Sequence, residues 1–159
     1  MAAQLDYGYA IPKATPGQKV DISDDTCISR KNEEADGVMK FGMAVAVGEK
    51  AGKGVKLATD ATADTIEGVV LRAENTEQDM KGKTVIAKGT IVSVITQGKV
   101  WVRIPKDVQP TYGAKAYVIV SGDDTGSFTP TQGSNVDIGA KFGTDYDADE
   151  HVAIVILNH

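Results

Sequence analysis

Residues 90–104 read TIVSVITQGKVWVRI and give the strongest structural signal in the chain. Apolar residues recur at every second position on each side of Gly98, which is the period of a half-buried strand. Because glycine suits the first central position of a two-residue type II′ turn, Gly98 and Lys99 predict a hairpin between two strands. Pro105 and Pro110 bracket the following loop, since proline cannot donate to a strand ladder.

The choice of apolar residues also favours strands over helices. The chain contains 18 Val and 12 Ile but only 4 Leu. Branching at Cβ restricts χ1 and suits a pleated strand, whereas a helical bundle would need many more leucines. The composition therefore predicts an all-β protein, and its 159 residues are enough for one domain of ordinary size.

The composition argues against several classes of protein. No run of about 18 apolar residues is present, so we expect no membrane-spanning helix, and residues 1–6 lack the features of a signal peptide. The net charge of −5 argues against a nucleic-acid binder, which needs basic residues to neutralise phosphates. Two histidines are too few for a three-histidine zinc site, and the lone Cys27 permits no internal disulfide.

Short strand-like segments separated by turn residues fill most of the remaining chain. The last segment is almost continuously apolar, which is typical of a central strand covered on both faces or of a strand in an interface. The spacing predicts a compact β-sandwich or β-barrel-like domain over residues 22–159. The segments are Val38–Val47, Val55–Leu57, Ile66–Arg72, Lys115–Val120, Ser127–Thr129, Val136–Phe142 and His151–Leu157.

The connections carry their own signals. Residues 121–124, 132–135 and 143–145 are rich in Gly, Asp, Asn and Ser, and each predicts a turn. Residues 74–80 predict one short helix, with Asn75 as its capping residue.

Residues 1–21 differ from the rest because they show neither helical nor strand periodicity. Their prolines disfavour helix and push the preceding residues toward extended conformations. We interpret this segment as an extended arm whose aromatic and apolar side chains need a surface to lie on; a loosely ordered terminus is the alternative. The candidate contact residues are Tyr7, Tyr9, Ile11, Pro12 and Pro16.

No arrangement of residues predicts catalysis or metal binding. Cys27 has no histidine near it in sequence, and the chain lacks the nucleophile-elbow, phosphate-loop and zinc-protease motifs. The acidic clusters at 123–126 and 145–150 do not match an EF-hand, and solvated turns explain them more simply. We therefore expect a protein with no cofactor and no enzymatic activity.

Eight short segments, taken in order, resemble the structural cement (capsid decoration) proteins of tailed bacteriophages. Each segment is weak alone, and the order and spacing over nearly the whole chain carry the resemblance. The segments are Pro16–Asp21, Cys27–Arg30, Met39–Val45, Val55–Leu57, Glu67–Leu71, Val92–Val102, Gly113–Val118 and Gly139–Phe142.

The resemblance implies a late structural protein on the capsid exterior, made in the host cytoplasm. It would bind the major capsid protein as a homotrimer at local three-fold positions and reinforce the head against genome pressure, with no nucleic-acid or membrane partner. We expect Trp101 to join the arm residues in the capsid or subunit interface. A ligand- or glycan-binding β-sandwich remains the alternative, in which Trp101 and Tyr112 would form a stacking platform for a sugar.

Overall fold

The computed structural model describes residues 14–73, 77–78 and 80–158. These residues form strands, turns and loops without a helix, which confirms the all-β prediction. The eleven strands found in them are β1 (Thr26–Asn32), β2 (Ala44–Val47), β3 (Gly54–Leu57), β4 (Ile66–Val70), β5 (Glu77–Gln78), β6 (Thr84–Val85), β7 (Ile91–Arg103), β8 (Lys115–Val118), β9 (Phe128–Thr129), β10 (Val136–Asp147) and β11 (Val152–Asn158).

Four strands and the first half of β7 close into a five-stranded barrel. The hydrogen-bonded order is β1-β3-β2-β4-β7, and β7 returns to pair with β1. Arg30 of β1 lies opposite Val92, and Val69 of β4 lies opposite Ile95, so this half of β7 has a partner on each side. We call residues 91–97 together with β1 to β4 the closed barrel. Closure leaves these strands without a free edge.

The second half of β7 begins a sheet that leaves the barrel. Residues 97–103 pair antiparallel with β11, and the order continues through β10 and β8 to β9. We call this part the open sheet. It curls back toward the barrel, because the amide of Ala44 donates to the carbonyl of Gly126 over 2.7 Å just before β9.

The prediction of a hairpin at Gly98 and Lys99 is wrong, because β7 runs unbroken through both residues. The register against β1 slips by one residue between Thr26 and Cys27, which marks a bulge in β7 at residues 95–97. Gly98 has φ of 128°, and a Cβ there would lie 2.8 Å from Cβ of Asp25, so a larger residue does not fit. A bulge changes which positions of a strand carry the inward-facing side chains, as a hairpin turn does. The apolar pattern of the sequence therefore did not distinguish a bulge from a turn.

Three other local predictions are corrected. The strand predicted over Val38–Val47 begins only at Ala44, because Gly42 adopts φ of 76° in a turn. The turn predicted at residues 143–145 is an irregular stretch of β10, in which the register against β11 slips. Of the helix predicted over residues 74–80, Glu77 and Gln78 instead form a strand, and residues 74–76 and 79 lie outside the described residues.

The strand alternation builds two main cores. Inside the closed barrel, Val45, Val55, Val70, Val92 and Val94 pack with Met39, Phe41 and Ile86. The larger core lies between the outer barrel face and the open sheet, and it includes Ile95, Val100, Phe128, Phe142 and Val155. β11 is the central strand expected from its continuous apolar run, since it lies between β7 and β10 and its side chains are buried on both faces.

Candidate functional site

The described part of the predicted arm lies along the second half of β7 instead of standing free. The amide of Gly17 donates to the carbonyl of Trp101 over 2.7 Å, and the amide of Trp101 donates to the carbonyl of Gln18 over 2.9 Å. Val20 then donates to Lys99 over 3.2 Å. We call residues 14–20 the arm base. It covers the edge of β7 opposite to β11, so the open sheet gains a short additional partner there.

Gly17 fixes the arm base between two other segments. Its φ is 81°, and a Cβ on it would lie 2.8 Å from the amide nitrogen of Arg72 and 3.0 Å from Cβ of Phe41. Its carbonyl accepts a hydrogen bond from the Arg72 amide over 2.9 Å. Only glycine combines this conformation with such close backbone approach, so the arm base has a defined position on the domain.

A small apolar cluster holds the arm base to the outer face of the open sheet. Ala14 is 2% exposed and packs with Trp101, Val152 and Ile154, while Val20 packs against the edge of this cluster. Trp101 is 7% exposed, so most of its indole is unavailable to a partner. This leaves little ring surface for the sugar-stacking platform that Trp101 and Tyr112 were predicted to form.

Ionic contacts continue the attachment beyond the apolar cluster. Lys99 of β7 donates to Asp21 over 2.9 Å, and Lys19 pairs with Asp25 at 2.6 Å. Hydrogen bonds from Ser23 and Lys99 lower the pKa of Asp21 to about 2. Asp21 therefore stays ionised, and its bond to Lys99 persists, down to strongly acid pH.

Of the other predicted contact residues, the structure describes only Pro16. Pro16 is half-buried at the arm base, where a Cβ on Gly42 would lie 3.0 Å from the Cβ of Pro16. Tyr7, Tyr9, Ile11 and Pro12 lie outside the described residues, so their contacts remain predictions. Large apolar side chains that are exposed elsewhere are Ile22, Val38, Met80, Ile91 and Tyr112.

The residues missed in the sequence are two arginines beside the arm base. Arg72 follows β4 and Arg103 ends β7, and both line a cavity of about 460 Å³ with Phe41. Nε of Arg103 donates to the carbonyl of Phe41 over 2.8 Å, and the Arg72 guanidinium lies 5.8 Å from the centre of the Phe41 ring. Burial and the neighbouring charge of Arg72 lower the pKa of Arg103.

The acidic cluster at residues 145–150 forms hydrogen bonds within its own turn. The side chain of Asp147 accepts hydrogen bonds from the amides of Asp149 and Glu150, at 3.0 and 3.2 Å. Over residues 14–73, 77–78 and 80–158, no group of three or more His, Cys, Asp or Glu side chains is placed to hold a metal ion. The same residues include no helix able to cross a bilayer.

A barrel that continues into an open sheet is also the fold of a chain in a virus particle. A chain from the structure titled "The capsid of Myoviridae Phage XM1" superposes with a TM-score of 0.74. The match covers 97% of this chain and 98% of that chain, at 16% sequence identity. Fold and length therefore place the protein in an architectural class found in phage capsids.

The family assignment comes from the sequence itself. Residues 3–158 match the family model described as Structural cement protein (E217 gp24/Pam3 gp6), so the chain belongs to the structural cement protein family. The resemblance noted in the sequence is thereby confirmed. No curated protein matches the chain. The chain is a capsid protein with a structural role, and its place is the virion.

Proposed function

We propose that the protein binds the outer surface of the assembled head through residues 1–21 and the surface around the arm base. Residues 1–13 lie along the major capsid protein or a neighbouring copy, and residues 14–21 tie that contact to the folded domain. No covalent bond is made or broken. The single observation that carries this proposal is the docked arm base, whose backbone bonds to β7 and to Arg72 within a few residues of the aromatic segment.

The physical mechanism is preferential binding to the assembled state. A partner that binds the closed shell but not its free subunits stabilises the shell by mass action. Contacts repeated across a lattice add through effective concentration, so each one need only be moderate. Internal pressure from packaged genome must then break these contacts together with those between capsid subunits.

Aromatic and proline residues suit the arm for this role. Tyrosine supplies a large contact area at a low cost in side-chain entropy, and proline keeps the free arm extended before it binds. Addition of the arm to a sheet edge on the shell is one suitable geometry. The arm base already uses this mode within the chain, because Gly17–Val20 bonds to the edge of β7.

A homotrimer at local three-fold positions is part of the proposal. Among the residues that the structure describes, five large apolar side chains are exposed, and subunit or capsid contacts would remove such groups from water. Light scattering of the isolated protein gives its oligomeric state directly. We expect a trimer mass, and a monomer mass at micromolar concentration would show that any trimer forms only on the shell.

The experiment that tests the function removes residues 1–13 and keeps Ala14 onward. The truncated protein keeps every hydrogen bond of the arm base, so we expect it to fold normally. Its binding to undecorated shells, measured by co-sedimentation, should fall strongly, and the thermal stabilisation of the shells should fall with it. The control replaces residues 1–13 with a Gly/Ser segment of equal length.

The outcomes of this truncation are distinct. Reduced binding of both the truncated protein and the Gly/Ser control supports a role for the arm side chains. Equal decoration by all three proteins would contradict that role. If even the full-length protein failed to bind the shells of its own virus, the capsid-surface function itself would be wrong.

A further inference from the structure

We propose that the cavity between Arg72 and Arg103 is a receptor for a carboxylate side chain on the capsid surface. We call this cavity the basic pocket. The proposal rests on the function above and names the chemistry of one contact within it. The arm supplies apolar and aromatic contact area, whereas the basic pocket supplies a charged contact of defined geometry.

Within the described part of the chain, the two pocket arginines have no carboxylate partner, unlike Arg30. On the closed barrel, Nε of Arg30 lies 2.8 Å from Glu67. Among the described residues, neither Arg72 nor Arg103 forms an ion pair with a carboxylate. Burial, and in second place the like charge of Arg72 across the cavity, lower the pKa of Arg103. An incoming anion would relieve the repulsion.

The protein holds both guanidinium groups in position before any ligand arrives. Nε of Arg103 is fixed by the carbonyl of Phe41 over 2.8 Å, and the backbone amide of Arg103 donates to Gly42 over 3.0 Å. The Arg72 guanidinium lies over the face of Phe41. Both arginines line the cavity, and planar arginine forks bind carboxylates in two-point geometry.

The remaining lining favours a carboxylate carried by a protein over a nucleic acid. Met39, Phe41 and Ile86 give the cavity an apolar floor, which suits the carbon stem of a Glu or Asp side chain and its neighbours. Asp36 also lines the cavity, and its side chain accepts a hydrogen bond from the Lys88 amide over 2.7 Å. Lys40 and Lys83 line the cavity as well, so its lining is basic overall. The preference for a protein carboxylate over a polyphosphate chain therefore rests on the apolar floor and on the net charge of −5 of the whole protein.

The location of the basic pocket joins it to the arm base. The Arg72 amide donates to the carbonyl of Gly17 over 2.9 Å, so one backbone link connects the two features. A shell protein that contacts the arm near Ala14 is therefore also close to the basic pocket. This continuity favours the capsid surface over an unrelated soluble anion as the source of the carboxylate.

The first test measures binding of variants to undecorated shells. Arg72→Gln removes the charge of an exposed side chain and leaves the backbone bond to Gly17 in place. We expect it to weaken binding by on the order of 10- to 100-fold, the usual range for a hydrogen bond to a charged group. Arg72→Lys should recover part of the loss. Lys56→Gln, which removes an exposed charge from the closed barrel, is the matched control and should leave binding unchanged.

The second test identifies the chemistry and source of the ligand. Shell carboxylates are neutralised with a carbodiimide and a small amine before the protein is added. The affinity of the unaltered protein for treated shells should fall toward the affinity of Arg72→Gln for untreated shells. The affinity of Arg72→Gln itself should change little on treatment. Undiminished binding to treated shells would overturn the proposal. It would mean that the basic pocket binds no carboxylate of the shell, because the treatment leaves a carboxylate of this chain or a free anion unchanged.

The results separate this proposal from the proposed function. If the unaltered protein decorates shells and Arg72→Gln decorates them equally well, the basic pocket has no such role and the cement function stands. If the unaltered protein fails to bind at all, both fail. Arg103→Gln is a second variant, and its melting temperature must be measured alongside, because Arg103 also bonds to Phe41.

Discussion

The closed barrel and the open sheet share β7 but differ in how their edges and faces are finished. In the closed barrel every strand has two partners, and its interior is filled by side chains of the chain itself. The open sheet ends at the two-residue strand β9, and its outer face is covered near Trp101 by the arm base. The barrel is thus complete by itself, whereas the open sheet is completed by a segment that leads into the arm.

This difference separates support from recognition. A barrel without free edges is a rigid base that does not pair with other chains through its strands. The arm base lies along residues 99–101 of β7, and the basic pocket lies between Arg103 at the end of that strand and the barrel residues Met39, Phe41 and Ile86. The proposed contacts with the shell are therefore concentrated on that side.

The largest effect is expected from a truncation in the shared core. Phe142 of β10 is 1% exposed and packs in the core between the barrel and the open sheet. Phe142→Ala should lower the free energy of unfolding by about 3–5 kcal/mol. Tyr112→Ala, at a side chain that is 72% exposed, is the control and should change it little.

The same experiment shows whether the two parts unfold together. Urea unfolding followed by Trp101 fluorescence reports on the open sheet, and far-UV circular dichroism reports on all strands. We expect the two curves to coincide for Phe142→Ala, because the shared core links both parts. Two separated transitions would mean that the barrel and the open sheet fold independently.

A methyl group added at barrel closure should be costlier than one added in the open sheet. A Cβ on Gly68 would collide with the backbone carbonyl oxygen of Ile95, so β4 and β7 would have to separate. A Cβ on Gly143 would lie 2.6 Å from Cγ2 of the Ile154 side chain, which can adjust more easily than a strand backbone.

We therefore expect Gly68→Ala to lower the free energy of unfolding by about 1–3 kcal/mol or more. Gly143→Ala should cost less than Gly68→Ala. Chemical denaturation of both variants measures the difference. Equal costs, or a larger cost at Gly143, would show that β4 and β7 pack less closely than the structure indicates.

A charge placed under the arm base should detach it while the barrel stays folded. Ala14→Asp puts a carboxylate into the apolar cluster with Trp101 and Ile154. We expect faster hydrogen exchange at the amides of Gly17 and Trp101, a red shift of Trp101 emission, and an unfolding free energy lowered by about 1–3 kcal/mol.

The control for Ala14→Asp is Gln18→Glu, which adds the same charge at an exposed position of the arm base. It also keeps an oxygen that can accept the bonds from Thr15. Its exchange rates should match those of the unaltered protein. Exchange that speeds up equally in both variants would show that charge alone, and not burial of Ala14, controls attachment.

The smallest effect concerns pH. Because the pKa of Asp21 is lowered from 3.8 to about 2 in the folded protein, its contribution is fully present above pH 3.8 and is lost as the pH falls through about 2. We expect amide exchange at Val20 and Lys99 to rise, relative to the rest of the chain, over that interval. In Asp21→Asn the same amides should show no additional rise there.

The sequence predicted the class of fold and its central strand better than it predicted the connections. Valine-rich alternation identified the strands, and the continuous apolar run at residues 152–157 identified the central strand, because both follow from side-chain burial. Gly98 was misread because a bulge and a hairpin turn produce the same shift in alternation. Barrel closure depends on pairing between β1 and β7, which are far apart in sequence and leave no local signal.

In the candidate site, too, local sequence features were predicted and contacts between distant residues were missed. The arm was predicted from its prolines and its lack of periodicity, and among the residues proposed for its contacts the structure describes Pro16, half-buried at the arm base, and Trp101, buried in the cluster with Ala14. The basic pocket was missed because Arg72 and Arg103 are 31 residues apart (103 − 72) and come together only at the turn of Gly42, which bonds to Val70 and to the amide of Arg103. The one available signal was an arginine within the apolar alternation of β7, a position where a charged side chain requires a partner.

A particle reconstruction of the decorated head tests the central claim most directly, because it shows which side of the chain faces the shell. We predict that the arm base and the basic pocket face the capsid, with density for residues 1–13 on the major capsid protein and an acidic side chain next to Arg72. A reconstruction in which the basic pocket faces away from the capsid while residues 1–13 extend into solvent would contradict the account.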